Sequence, residues 1–466
     1  MTRSFVLRCA AGLAGAALCG GPARAQRPVI QPGSGQRLDS LIRAAEAQGF
    51  HGVVLVEQRG HTALLQGYGF ANHASQARFT PSTVVQIGSN TKDFTATVIY
   101  QLVEEGRLRL TDSLPRFFAG VPSDKRGITV EQLLGHRAGL PLGVAGDDVP
   151  LSKADMLERL WALTLAAPPG TTSKYSNLGY SILAAIVEQL TGRPFDAVLA
   201  ERVFDPAGMR ETGLQLPRFD RARLAHGYAG GADRGVILDK PHDADGHLWS
   251  LRGNGGLLST VRDMQRFYQA LRGPTLLREE AHRRAVIPFD QPGVWAGSDM
   301  TSFFLYGNFP AAETEILIAT NHREYQGSRM LREIQALLGI PLGDPDRAVV
   351  TGPLLDRVPE TGVGRTVTAY LDAYATADTA VMRRFFLDYG DASADAPPID
   401  VRVERFQQMR ANLGRLTVRG ARQAPNGEGL VVVAVSEFGT PVTMTFVVTP
   451  EPPHRLRGIR VEAGGS

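Results

Sequence analysis

Beyond residue 19 the 466-residue chain has no cysteine; Cys9 and Cys19 are the only two. The body of the protein therefore has no disulfide, no thiol nucleophile and no cysteine metal ligand. Lysine is nearly as scarce. Among 50 basic residues only Lys92, Lys125, Lys153, Lys174 and Lys240 are lysines, and the rest are arginine. Long hydrophobic runs are missing after the first 25 residues, so no later segment is apolar enough to cross a bilayer. An excess of one charge is missing too. Arg3, Arg8 and Arg24 lie in the first 25 residues with no acid, leaving 47 basic against 47 acidic residues. Nothing in that balance argues for nucleic acid or an anionic membrane as partner. No G-x-S-x-G occurs, which argues against the nucleophile elbow of the α/β-hydrolases.

What is present begins with Met1 to Ala25, which has the marks of a cleavable secretory signal. Arg3 and Arg8 form the positive end, C-A-A-G-L-A-G-A-A-L-C-G-G the short apolar centre, and Ala23-Arg24-Ala25 an A-x-A cleavage site. The expectation is a soluble exported protein, periplasmic or secreted. The chain is long enough for two domains, and 43% hydrophobic residues suit packed cores. Leu38, Leu41, Ile42 and Ala45 recur at helical spacing, and G-V-V-L-V-E-Q-R-G-H-T-A-L-L-Q-G reads as two strands joined at Arg59-Gly60. A long, mostly helical middle follows to about residue 275, and strand character returns over 301–320. This order predicts one sheet built from both ends, flanked by helices, with a helical subdomain inserted. Residues 341–359 read as a linker. Beyond it, three helices near 363–374, 379–387 and 401–413 precede four strands near 415–422, 429–438, 441–449 and 454–461, with a turn at Pro425-Asn426-Gly427. That predicts a second, smaller α+β domain over 360–466.

The scarce lysine has its most informative position in I-G-S-N-T-K-D-F-T-A, residues 87–96. From Ser89 onward Phe94, Val98, Ile99, Leu102 and Val103 mark a helix, closed at Gly106. Ser89 and Lys92 share a face at its start. A serine hydroxyl is a poor nucleophile until a base takes its proton. Lysine serves as that base if its pKa falls from about 10.4 towards neutrality, a change of about 4 kcal/mol for three units. Burial and the positive helix end both push it down, whereas arginine stays protonated.

S-x-x-K alone is a weak motif, but five more stand behind it in order. F-T-P-S-T-V-V-Q-I-G-S-N-T-K-D-F-T-A is followed by E-E-G-R-L-R-L-T-D-S-L, I-T-V-E-Q-L-L-G-H-R-A-G-L-P, P-P-G-T-T-S-K-Y-S-N-L-G-Y-S-I-L, F-D-P-A-G-M-R-E-T and G-N-G-G-L-L-S-T-V-R-D-M. Together, from about 35 to 325, they resemble the serine β-lactamase and penicillin-binding-protein superfamily, in its class C-like branch. The resemblance implies a β-lactamase-like fold over 26–340. It implies Ser89 as the acylated nucleophile, Lys92 and Tyr175 as partners in proton transfer, and Asn177 as a holder of the lysine and of a substrate amide. It implies no cofactor and no metal. The Ser-Asp-Asn triplet of class A enzymes is absent.

The third motif departs from the family. Where the family has Lys-Thr-Gly or His-x-Gly on an inner strand, this chain has Trp295-Ala296-Gly297, which resembles the carboxylesterases of β-lactamase fold. A cation there holds a substrate carboxylate; tryptophan offers an apolar wall and one N–H donor. Alternatively Trp295 is a core residue. The resemblance implies the N–H groups of Ser89 and Ser298 as the oxyanion hole. The expected function is an exported serine hydrolase acting on a small ester, amide or peptide-like substrate, with an esterase preferred. A β-lactamase or D-alanyl-D-alanine carboxypeptidase of the same fold, or a non-catalytic penicillin-binding sensor, are the alternatives. Three features stay outside this assignment. His136 reads as structural rather than catalytic. The loop with His242, Asp243, Asp245 and His247 reads as solvated rather than as a zinc or calcium site. The C-terminal segment resembles the NTF2-like cone fold, and both a partner-binding and a cleft-covering role are compatible with it.

Overall fold

The computed structural model describes residues 27–466 apart from 148, 215–219, 230–231, 240–247, 299–301, 323–326, 342–354, 394–395, 424–428, 450 and 464–466. The signal-like segment, the 241–247 loop, most of the linker and the 425–427 turn lie outside the described residues.

Six strands make the main sheet: β1 (Val29–Ile30), β2 (Gly52–Gln58), β3 (His61–Tyr68), β4 (Gly293–Ser298), β5 (Phe303–Phe309) and β6 (Thr314–Thr320). Their order is β1-β3-β2-β6-β5-β4, antiparallel throughout. The first three strands come from the start of the chain and the last three from beyond residue 290, so the sheet is indeed built from both ends. β2 and β3 turn at Arg59 and Gly60, both with positive φ.

The central strands are apolar at successive positions because both faces of the sheet are covered. Val53, Leu55, Leu317 and Ala319 join one core; Val54, Val56, Ile316 and Ile318 join another. Helices α1 (Ser34–Glu46) and α5 (Gly327–Leu338) pack in the second core. The first, larger core holds α2 (Thr91–Glu104), α3 (Asn177–Thr191) and α4 (Val261–Arg272). In α2 Phe94, Val98, Ile99 and Leu102 have no exposed surface. Phe94 stacks on Phe267 of α4 at 3.9 Å between centroids. Gly106 takes the expected left-handed conformation, with φ +69°. Helices are the main regular elements of the inserted middle, with two-residue strands among them, but loops join them over much of its length, so it is less helical than the sequence suggests.

Beyond the main sheet, α6 (Gly362–Thr376), α7 (Thr379–Tyr389) and α8 (Ile399–Leu413) precede β7 (Leu416–Gln423), β8 (Gly429–Ser436), β9 (Pro441–Val448) and β10 (Leu456–Ala463). These strands form an antiparallel meander with its own hydrophobic core, around Tyr370, Tyr374, Phe406, Val432 and Phe446. Tyr370 and Tyr374 are packed there rather than open to a ligand. The β8–β9 turn rests on α5. Arg332 donates from Nε to the carbonyl of Phe438 at 3.1 Å, and the Arg329 guanidinium lies 4.8 Å from the Phe438 ring. This contact is on the face of the main sheet opposite α2.

Candidate active site

A turn of 3-10 helix, Gly88–Asn90, delivers the chain into α2 and puts Ser89 at its mouth. Lys92 lies one turn on, buried among the first core. Its Nζ donates to Ser89 Oγ at 3.1 Å, to Asn177 Oδ1 at 2.9 Å and to the carbonyl of Asn254 at 2.7 Å. All three acceptors are uncharged. Burial therefore dominates, and it pulls the lysine down to about 7; the charges of Asp93 and Asp147 oppose this. Asp93, partly buried beside Tyr268, is itself pushed up to about 7 by desolvation, which weakens its hold on the ammonium.

Tyr175 completes the cluster, its hydroxyl 2.8 Å from Ser89 Oγ. The residue is 46% exposed. Desolvation raises the phenol above its ordinary range, and the bond to Ser89 opposes the rise. The sequence folds this way because Ser176 caps α3. Its side chain accepts from Gly179 N at 3.2 Å and donates to the Pro141 carbonyl at 2.6 Å, leaving Tyr175 just outside the helix and Asn177 at its first turn. The backbone of Asn177 bonds the Leu142 carbonyl at 2.8 Å.

Backbone contact completes the pocket. A Cβ on Gly297 would stand 2.5 Å from Ser89 N and 2.3 Å from the Ile87 carbonyl; one on Gly88 would stand 2.6 Å from Ser298 N. Only glycines let β4 approach the nucleophile turn this closely. The backbone at Ser89 and the backbone at Ser298 thereby lie side by side. The strand bearing Trp295 and Gly297 closes the sheet at its edge, where the family pattern put an inner strand. Trp295 is half-buried. Its ring folds back over Gly293 and tilts against Tyr306 at 5.8 Å, on the same strand face as Gly297. It thus contributes apolar surface beside the pocket while packing on the core.

The Asn254 carbonyl was not singled out by sequence reasoning. The nearest signal is the N-G-G run after Gly253. That loop is tied to α2 by Thr95 Oγ1 donating to the Gly253 carbonyl at 2.7 Å and Leu257 N donating to Thr91 Oγ1 at 3.2 Å. A second unforeseen group is His51, His73 and His322, with one nitrogen from each within 4.8 Å of the others. His73 and His322 hydrogen-bond through their Nε2 atoms at 3.3 Å. His51 accepts the Phe70 N–H on Nδ1 at 3.0 Å, so its neutral ring carries the proton on Nε2 and presents no lone pair there to a cation. With Tyr228 stacked on His322 at 5.1 Å, the trio is a hydrogen-bonded aromatic cluster. The predicted loop with His242, Asp243, Asp245 and His247 lies outside the described residues.

The family model described as Beta-lactamase matches residues 38–323. The chain belongs to the Beta-lactamase family. Among curated relatives of this Beta-lactamase family chain, the putative penicillin-binding protein PbpX of Bacillus subtilis is 27% identical over 240 residues, 52% of this chain. The chain spans 59% of that relative's length. Among solved structures, FmtA from Staphylococcus aureus superposes with a TM-score of 0.57 at 18% identity, over 69% of this chain and 93% of its own. The D-amino acid amidase of Ochrobactrum anthropi gives 0.54 at 20% identity, over 66% and 99%. At such identities these likenesses establish the fold. Among the described residues no helix is long and apolar enough to cross a membrane.

Proposed function

We propose that this Beta-lactamase family chain is an exported serine hydrolase that works through an acyl-enzyme, with a neutral ester or amide as substrate and esters preferred. The observation that carries the reading is Ser89 Oγ held at 3.1 Å from an amine drawn to about 7 and at 2.8 Å from the Tyr175 hydroxyl. In the reaction, neutral Lys92 takes the Ser89 proton as Oγ bonds to the acyl carbonyl carbon. The N–H groups of Ser89 and Ser298 hold the oxygen as it becomes negative. The tetrahedral adduct collapses, and Tyr175 passes the proton to the departing alcohol or amine. Water then attacks the acyl-enzyme by the same route, releasing the acid and restoring Ser89.

The preference for a neutral acyl group rests on the third motif. β4 offers the ring of Trp295 where a lysine or histidine would hold the carboxylate of a β-lactam or of a peptide C-terminus. The D-amino acid amidase supports an amide as the other substrate class. We read the first 25 residues as the export signal and 360–466 as an NTF2-like domain joined through 341–359; three helices followed by a four-stranded meander support the latter.

A fluorophosphonate probe labels Ser89 in the wild type and not in Ser89→Ala, and the variant loses p-nitrophenyl ester turnover by a factor on the order of 10⁶. Absence of both labelling and turnover in the wild type would favour a binding protein instead. Rapid hydrolysis of a chromogenic cephalosporin would overturn the neutral-substrate preference.

A further inference from the structure

His136 has no part in the chemistry above, yet its backbone and side chain both brace the tyrosine that has. Its φ is +54°, a conformation uncommon for a residue with a Cβ. From this turn its carbonyl accepts Lys174 N at 2.9 Å and its Nδ1 accepts Ser176 N at 3.2 Å, gripping the chain on both sides of Tyr175. The imidazole lies against the Tyr175 ring, 4.5 Å between centroids and tilted 35°, and against Tyr180 at 5.3 Å on its other contact. Lys92 Nζ in turn sits 4.8 Å from the centre of the Tyr175 ring.

Resting on the proposed function, we infer that His136 is a positioning residue: it sets the angle at which the Tyr175 hydroxyl meets Ser89 Oγ. The role requires a neutral ring. An imidazolium would carry N–H on both nitrogens, turn a donor towards the Ser176 N–H and place a second positive charge near Lys92. Burial and the charge of Lys92 hold the ring down to about 4, so the acceptor persists through the neutral range. The half-exposed Tyr175 needs such a brace because only its hydroxyl is fixed by the nucleophile. A shift of an ångström at that oxygen is enough to cost about 10²-fold in rate.

The test is a double-mutant cycle. His136→Phe keeps an aromatic ring and removes the acceptor; His136→Asn keeps an acceptor and suits the left-handed backbone. We expect His136→Phe to lower kcat for a p-nitrophenyl ester by about 10- to 100-fold with KM within about threefold. We expect nearly all of that loss to vanish when the substitution is made in a Tyr175→Phe background, and His136→Asn to recover part of it. An equal loss in both backgrounds, or no loss at all, overturns the inference. If His136→Phe fails to fold, the same cycle is run with His136→Asn. A readout independent of turnover separates this inference from the proposed function. In protein with ¹³C-labelled tyrosine, the ionisation of Tyr175 moves down towards about 10 when His136 no longer holds the ring in the enclosed position. An unchanged titration refutes the positioning role even if the protein proves inactive on esters, and a lowered one supports it.

Discussion

Two lysines of this chain are almost equally buried, and they sit in opposite surroundings. Lys125 is 1% exposed and Lys92 6%. Lys125 donates to the carboxylate of Asp124 at 2.8 Å and to the Leu163 carbonyl at 2.7 Å. Lys92 meets a hydroxyl, an amide oxygen and a carbonyl, none charged. The first arrangement compensates an ammonium. The second solvates an amine while withholding the charge that would keep it protonated. At Lys92, burial among neutral acceptors is what draws the amine down. The neighbouring Asp93 fits that pattern, since its own burial favours the uncharged acid.

The comparison breaks most visibly in activity. Under the proposed mechanism, Lys92→Ala and Lys92→Arg each lower kcat by about 10³- to 10⁴-fold, with KM little changed, because the base acts in the transition state. Lys125→Met leaves kcat within about twofold. It costs about 1–3 kcal/mol of stability, because the Leu163 carbonyl loses its donor. The wild-type pH profile carries the same contrast. Lys92 is competent when neutral, so kcat/KM on a neutral ester rises with pH through about 7 and levels off above it. A Lys92→Arg variant with full activity, or an acid limb far from 7, would remove Lys92 from the role of base.

A second, smaller effect separates the two halves of the pocket. Gly297→Ala puts a methyl group 2.5 Å from Ser89 N and 2.3 Å from a carbonyl oxygen, both backbone atoms that cannot turn aside. The strand must move away from the nucleophile turn, taking Ser298 N with it. We expect kcat to fall by about 10²-fold, with the acid limb still near 7 because the surroundings of Lys92 are untouched. A Gly297→Ala enzyme with wild-type kcat would show that the Ser298 N–H does not meet the oxyanion.

The sequence makes these two halves unequally legible. Ser89 and Lys92 are three apart on one helix, so their meeting follows from helical geometry. The strands of both regions declare themselves by apolar runs bounded at Arg59-Gly60 and similar turns. The Tyr175 and Asn177 positions come from an ordered set of motifs, since no local periodicity brings residue 175 to residue 89. What is not legible depends on long-range backbone contact. The Asn254 carbonyl has no side-chain signature, and the approach of Gly297 to Ser89 is visible only when β4 and the 88–90 turn are seen together. The edge position of β4 is likewise a matter of strand order, which apolar patterning leaves open. His136 declares a residue type but not its left-handed backbone, and that backbone is what brings its ring against Tyr175. The three histidines at 51, 73 and 322 come from separate segments, and their meeting cannot be read from spacing.

The smallest effect is thermodynamic. The folded pKa of Lys92, about 7, lies below the value of about 10.4 for an unfolded chain. Between those pH values the unfolded state binds more protons, so stability gains from this residue as pH rises, and below about 7 the full penalty of the buried charge is present. That penalty is on the order of 5 kcal/mol. Lys92→Met removes the titration. It also strips the Asn177 and Asn254 oxygens of a donor, at a cost that does not depend on pH. The informative quantity is therefore the slope. The stability of Lys92→Met relative to wild type, from urea unfolding, should be highest near pH 6 and decline steadily towards pH 10. A difference that stays flat over that range would mean that Lys92 keeps its charge in the folded protein, and the contrast with Lys125 would then be one of partners without consequence for the proton.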